Sequence, residues 1–309
     1  MENLSACPFR YYLRYVLGLE PIEERQEFQE DHAANGSLLH LALESLHARI
    51  RSVPDSAGRP VADRIEAEIE AVFELALSGE RQPNSEIELG LFAIDAERIR
   101  RTALRYARQF RKYAAKDGQT AECQQVEVRF GNTGGTHAAL TLGAGESAIR
   151  VQGIIDRIDV LEQDGRSFFR VIDYKSGSIP PPKEVESGLA LQLPLYAMAA
   201  ERVLFSDSGK APLDAAYWGL KKDGFAKRRT MSKLDSVSAD IESQWRTFSS
   251  ELEQYILDLV DRSRSGDFPV LPQKPDCDSH CDFRFVCRVK GTRRTLKHWN
   301  EAPTMGNRP

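Results

Sequence analysis

Two short apolar runs carry acids where carboxylates can do chemistry. GIIDRIDV (153–160) and VIDYKSG (171–177) hold Asp156 and Asp173, and both have the Val and Ile content of neighbouring strands. Two carboxylates brought together at a sheet edge can hold a hard divalent cation, because Mg2+ takes oxygen ligands and keeps several waters. Lys175 follows Asp173 by two residues, and side chains two apart on a strand leave the same face. An ammonium there can orient or help deprotonate an attacking water, or stabilise a pentavalent phosphorane, beside a metal that polarises a phosphate.

A lone D-x-K run is more often a salt bridge, so its company matters. His40 in GSLLHLALE is a candidate further metal ligand, against the alternative of a polar residue at a core boundary. Glu127 in VEVRF is a candidate third acid, with an exposed strand residue as the equal alternative. Gln192 and Tyr196 in QLPLYA stand i, i+4 on one helix face, suited to touching a substrate strand, although Tyr196 fits a core position equally well. Pro194 between them requires the helix to begin shortly before it.

Five cysteines, odd in number, do not make a disulfide framework in a chain of 309 residues. Cys277, Cys281 and Cys287 form a C-x3-C-x5-C run in CDSHCDFRFVC, and Cys7 lies far upstream in SACPFRYYL. Short spacers suit thiolates converging on a metal or iron–sulfur centre, with Cys7 as fourth ligand; buried free cysteines are the alternative, and Cys123 reads as core. Such a centre would tie the first helix to the last segment, so its loss should destabilise the fold.

The elements that must position these groups follow from periodicity. Segment 4–17 reads as an aromatic-rich amphipathic helix, 36–50 as a second, and 62–79 and about 88–115 as two more, separated by a Ser/Pro/Gly loop at 51–60. Strands are expected at 125–130, 149–161 and 168–174, with antiparallel pairing and a Gly-rich turn or short hairpin over 131–147. A Pro-rich loop at 176–182, a helix at 189–205, a strand at 215–220 and a long helix at 235–264 complete an α/β domain with a mostly helical N-terminal part. There are no repeats and no low-complexity tract.

Charge is distributed unevenly. The net charge of −4 argues against coating nucleic acid by bulk attraction, so any such contact is local. Arg98, Arg101, Arg105, Arg108 and Lys112 fall on one helix stripe with no acid between 98 and 112, opposite the core-facing Ile99, Ala103, Tyr106 and Phe110. This stripe is the best candidate DNA-binding face, ahead of the basic stretches 221–233 and 284–309, although a charge run is usually a solvated surface. No apolar run reaches the length of a membrane span and no signal peptide is recognisable, which places the chain in the cytoplasm and away from membranes. A GxxxxGK[ST] phosphate loop is missing, so an ATP-driven motor, if there is one, lies elsewhere.

Read in order, Cys7, His40, Asp156, Asp173 with Lys175, Gln192 with Tyr196, and Cys277, Cys281 and Cys287 resemble the RecB and AddB C-terminal nuclease family of the PD-(D/E)XK superfamily, from Cys7 to Cys287. The resemblance implies a restriction-endonuclease-like core with a mixed sheet, preceded by a helical region and closed by a cysteine cluster. It implies that His40, Asp156, Asp173 and the backbone carbonyl of Tyr174 bind Mg2+ or Mn2+, that Lys175 is the catalytic lysine, and that the four cysteines hold a structural [4Fe–4S] cluster. The family's closing run is usually C-x2-C-x5-C, one residue shorter than here, and its members often carry a helicase-like region before the first cysteine. A trimmed gene start, a split gene or a free-standing subunit is the corresponding expectation, with DNA and a helicase or ATPase subunit as partners. One nuclease domain is expected over 1–287, with a mainly helical part to 118, a catalytic core over 119–270 and the cysteine cluster over 271–287 closing on Cys7. Residues 288–309 form a basic tail. The leading reading is a metal-dependent DNA nuclease, an exonuclease in recombination or repair. Against it stand a catalytically silent DNA-binding scaffold and a zinc-stabilised structural protein.

Overall fold

The computed structural model describes residues 1–20, 32–53, 55–79, 85–116, 121–132, 135–163, 165–221, 224–225, 240–270, 277 and 281–287. The basic stretch 221–233, apart from a few residues, and the tail 288–309 lie outside the described residues.

Val, Ile and Phe-rich segments build one mixed sheet from β1 (Ala121–Phe130), β4 (Gly153–Gln163), β5 (Arg166–Lys175), β6 (Ala211–Gly219) and β7 (Gly224–Phe225), side by side in that order. β4 pairs antiparallel with β1 and β5, the latter through a turn that uses Gly165 in the left-handed region (φ 73°). β5 and β6 run parallel, and the crossover this demands carries α6 (Pro182–Glu186) and α7 (Gln192–Ala199). The run expected as one strand over 149–161 is divided at Gln152. β3 (Ile149–Val151) leaves the main sheet and pairs with β2 (Leu140–Leu142), so the 131–147 stretch contains a hairpin strand.

The helical part is α3 (His32–Ser52), α4 (Val61–Ser78) and α5 (Glu86–Lys116). Leu39, Leu43, Leu46, Ile65, Ile69 and Tyr106 pack with Ile172, Tyr174 and Trp218 on one face of the sheet. The other face, with Phe169, Val171, Ala215 and Tyr217, is covered by α7 and α8 (Asp240–Arg264). β5 is buried on both sides, as an interior strand of such a sandwich should be.

At the N-terminus the expected helix over 4–17 is broken in two. Cys7 is extended (φ −166°, ψ 110°) between α1 (Glu2–Ala6) and α2 (Pro8–Tyr11), because a residue before proline is driven out of the helical region and Pro8 is suited to the first helical position. The helix expected over 189–205 begins at Gln192, which meets the constraint set by Pro194, and ends in a π-turn over Ala200–Leu204. No helix among the described residues is long and apolar enough to cross a membrane.

One buried polar network anchors the sheet to the helical layer. The Arg157 guanidinium, 0% exposed, donates to both Asp159 oxygens at 2.6 and 2.7 Å, and also to Tyr106 Oη at 3.2 Å. Tyr113 donates to Asp159 at 2.7 Å, and Tyr106 is bonded to His47 (2.5 Å) and Tyr174 (3.1 Å). Burial first, then the Arg157 charge, push the His47 pKa well below its ordinary range and leave it neutral. Arg157→Leu would leave the Asp159 carboxylate buried and unpaired, and should cost about 3–5 kcal/mol in urea unfolding. A double variant with Asp159→Leu should recover much of that loss, because a buried pair replaced by apolar groups is often neutral.

Candidate active site

The catalytic candidates gather where β4 and β5 leave the sheet beside α3. The last register pair, Arg157 opposite Ile172, brings Asp156 beside Asp173. Because β4 and β5 are inner strands, the carboxylates meet within the sheet and not at its edge as expected. Alternation along β4 sends Arg157 and Asp159 into the helical layer and Asp156 into the cleft. Asp156 Oδ2 accepts the Tyr174 backbone N–H at 2.7 Å, which fixes one carboxylate oxygen.

His40 reaches over from α3. Its Nδ1 lies 3.3 Å from Asp156 Oδ1 and its Nε2 3.1 Å from the Tyr174 carbonyl oxygen, so both ring nitrogens face acceptors. Burial works against the imidazolium, but the hydrogen bond and charge of Asp156, with Asp173 and Glu127, outweigh it and raise the His40 pKa. Glu127 completes a group with His40 and Asp156 whose ligand atoms lie within 4.8 Å of one another. It is half-buried, not an exposed strand residue, and its backbone sits at φ 47°, a costly conformation for a residue with a side chain. Burial and the charges of Asp156 and Glu44 push its pKa up.

Asp173 is 1% exposed. Burial under α7, then the Asp156 charge, push its pKa up to about 6 against the opposing pull of Lys175. Lys175 Nζ stands 2.8 Å from Asp173 Oδ2, a charge contact that leaves this oxygen without an aligned hydrogen bond. The same Nζ donates to Gln192 Oε1 at 2.9 Å and sits 5.5 Å from the Tyr217 ring centre. Gln192 Nε2 donates to Tyr196 Oη at 3.3 Å. Tyr196 therefore supports Gln192 from behind. Its ring packs edge-on against Phe130 and lies over Gly153, where a Cβ would come within 2.9 Å, which explains the glycine that opens GIIDRIDV.

Sequence reasoning missed two neighbours. Glu2 Oε1 accepts the backbone N–H groups of Leu191 (2.8 Å) and Gln192 (3.1 Å), satisfying the start of α7 and holding the residue that holds Lys175. Tyr217, opposite Asp173 in β6, floors the Lys175 side. The only hint of either was its place in an apolar or helical run. Together these groups line a cleft of about 790 Å3. A hard cation fits the donors present: carboxylates, an imidazole, a backbone carbonyl and a buried oxygen with no aligned donor.

The N-terminal segment does meet the C-terminal one. Arg10 and Arg14 pair with Asp282 at 3.4 and 3.8 Å, Phe9 N–H bonds the Pro269 carbonyl at 3.2 Å, and Tyr12 packs on Phe268 at 5.0 Å. Cys7, Cys277, Cys281 and Cys287 are half-buried thiols on these two segments. Burial pushes the Cys123 thiol up to about 11, in keeping with a core role. The basic stripe of α5 is less open than its sequence implied. Arg98 contacts Asp95 (3.3 Å), Arg101 contacts Glu97 (2.7 Å), and the flanking Arg100 and Arg111 reach Glu70, Asp63 and Glu66 on α4. Arg105, Arg108 and Lys112 have no ion pair among the described residues.

The mixed sheet, the paired aspartates and the D-x-K lysine define a restriction-endonuclease-like core. Residues 1–288 match the PD-(D/E)XK nuclease superfamily, and the chain belongs to it. It is 33% identical over 286 residues to an ATP-dependent helicase/deoxyribonuclease subunit of Moorella thermoacetica, covering 90% of this chain and 24% of that protein. To the proteins of the same name from Clostridium acetobutylicum and Listeria welshimeri it is 31% identical, over 64% and 63% of this chain and 17% and 16% of theirs. The chain thus spans a quarter or less of the length of these relatives.

The raised Asp173 pKa has a signed consequence. A carboxyl that ionises near pH 6 when folded and near 3.8 when unfolded favours the fold more at low pH and loses that advantage as pH rises through 6. Asp173→Asn should therefore stabilise the metal-free protein at pH 8 by up to roughly 3 kcal/mol. The gain should shrink toward pH 5, read by urea unfolding in EDTA, and equal gains at both pH values would contradict the buried ionised carboxylate.

Proposed function

We propose that the chain is a divalent-metal-dependent deoxyribonuclease unit that hydrolyses phosphodiester bonds by in-line attack of water. We further propose that it works as an exonuclease beside a helicase motor, in DNA recombination or repair in the cytoplasm. The observation that carries this is the convergence of His40, Glu127, Asp156 and Asp173 on one side of Lys175, itself held by Gln192. The names of the relatives support DNA as substrate and a helicase as companion.

His40, Asp156, Asp173 and the Tyr174 carbonyl, with Glu127 as a further acid, would hold Mg2+ or Mn2+. When bound, such an ion supplies Lewis-acid polarisation of the phosphate and a more acidic water. The chain's own residues do the rest. The Tyr174 N–H fixes one Asp156 oxygen, and the other is left facing His40 and the cleft. Lys175, steadied by Asp173, Gln192 and the Tyr217 ring, places an ammonium where charge grows on the phosphate oxygens, and can orient the attacking water. Gln192 is set by Glu2 on one side and Tyr196 on the other, so the lysine is preorganised. Cys7, Cys277, Cys281 and Cys287 would hold a [4Fe–4S] cluster whose role is structural. Four half-buried thiols on two segments already joined through Asp282 suit that purpose. Residues 1–287 act as one unit in this reading.

The test is digestion of end-labelled linear DNA and nicked circular DNA by anaerobically purified protein with Mg2+, Mn2+ or EDTA. Cutting should need the metal and fall roughly 100-fold or more in Asp173→Ala. Undiminished cutting by that variant would reassign the site. A wild-type protein that binds DNA without cutting it would favour the silent scaffold. Cys281→Ala should lower iron content and Tm before it alters cleavage, and an unchanged Tm would remove the structural cluster.

A further inference from the structure

The acidic cleft poses an electrostatic problem for its own substrate. Its walls carry five carboxylates, from Glu2, Glu44, Glu127, Asp156 and Asp173, against the cations Arg129 and Lys175. Even with a divalent ion bound, a polyanion is not drawn into such a place from bulk solvent, and the attraction must come from a cationic approach beside it.

One such approach adjoins the cleft. A depression of about 310 Å3 lies along β1, and Glu127 and Arg129 line both it and the cleft. β1 is an edge strand, and the turn after it folds back through the Gly131 N–H to the His137 carbonyl at 3.0 Å, making the far wall. Arg51, at the end of α3, makes the near wall. It is exposed and has no ion pair among the described residues, whereas Arg49 on the same turn is held by Glu68 at 3.0 Å. Arg129 is 55% exposed, and its contact with Glu127 is long at 3.7 Å. Gln125 also lines this wall, its amide oxygen shielded from solvent. The left-handed kink at Glu127 falls where the two depressions join.

We propose that this edge groove is the track for a DNA strand entering the cleft, with Arg51 and Arg129 contacting successive phosphates next to the scissile one. The proposal rests on the nuclease reading of the adjoining cleft. It moves the principal phosphate contacts away from the α5 stripe, where Arg98 and Arg101 are already engaged by acids.

The experiment measures binding of a fluorescein-labelled single-stranded oligonucleotide by anisotropy across a NaCl series, in EDTA and in the Asp173→Ala background. Arg51→Gln with Arg129→Gln should weaken binding at least tenfold at low salt. It should also flatten the slope of log K against log[salt] by about 1.4, since each phosphate contact on a single strand contributes roughly 0.7. Arg105→Gln with Arg108→Gln and Lys112→Gln should stay within about twofold of the parent by the same counterion reckoning. Thermal melts of every variant separate lost contacts from lost folding, and Arg129→Gln alone serves if the double variant melts early. A groove variant that binds like the parent, a larger loss in the α5 variant, or a parent that does not bind would each overturn the track. Cleavage by protein with Asp173 intact is scored separately. If it fails while the groove variants still lose binding, the nuclease reading falls and the track stands. If cleavage proceeds and the groove variants bind normally, the reverse holds.

Discussion

The ion pair between Arg157 and Asp159 is the constraint on which the rest of the molecule depends. A guanidinium with no exposure has to find acceptors inside the protein, and here it finds both oxygens of a carboxylate two residues along the same strand. That local pairing alone would leave other donors and acceptors unmet. Tyr106 and Tyr113 from α5 and His47 from α3 are drawn in to satisfy them, and β4 is thereby fixed against two helices. The strand's alternation then leaves Asp156 no direction but the cleft, and Tyr106 holds the side chain of Tyr174, whose backbone holds Asp156 and faces His40. The geometry of the site is in this sense an output of a buried charge pair one residue away.

The opposite side of β4 and β5 is built in electrostatic debt. Asp156, Asp173 and Glu127 crowd together under partial or complete burial, and the groups that relieve them, Lys175 and His40, relieve them incompletely, as the upward shifts of Asp173 and Glu127 show. The strained backbone at Glu127 belongs with this. A divalent ion held by these carboxylates and His40 would offset their repulsion, so ion binding and stability would be linked.

Much of the site was legible because it is written at short range. The two-residue spacing of Asp173 and Lys175 and the four-residue spacing of Gln192 and Tyr196 are statements about strand and helix period, and the structure keeps both pairs in contact. Gly153 and Pro194 are readable in the same way, through what a Cβ or a ring would obstruct. What was not legible depends on partners remote in sequence. Nothing in VIDYKSG says that its strand is interior and its aspartate buried, because β6 and α7 do the burying. Beside the α5 stripe, Arg100 and Arg111 reach Glu70, Asp63 and Glu66 on α4, partners that no spacing within 98–112 reveals. Glu2 stands 190 residues from the backbone it caps at Gln192, beyond the reach of any spacing rule.

The N-terminal segment joins these two themes. Pro8 breaks the first helix at Cys7, which separates α1, turned toward the cleft, from α2, turned toward the C-terminal segment. On one side Glu2 and Ser5 hold the approach to α7, Ser5 Oγ donating to the Gly188 carbonyl at 2.5 Å. On the other, Arg10 and Arg14 meet Asp282 through partly exposed ion pairs that are worth little by themselves. Aromatic contacts of Tyr11 and Tyr12 with Phe268 add to them, and Leu13 and Phe283 are buried. If Cys7 were joined to Cys277, Cys281 and Cys287, the link would add to the outer hold on the segment that sets Gln192, and through it Lys175. A cross-link there would act on the lysine through covalent chain and two backbone hydrogen bonds, without any thiol approaching the cleft.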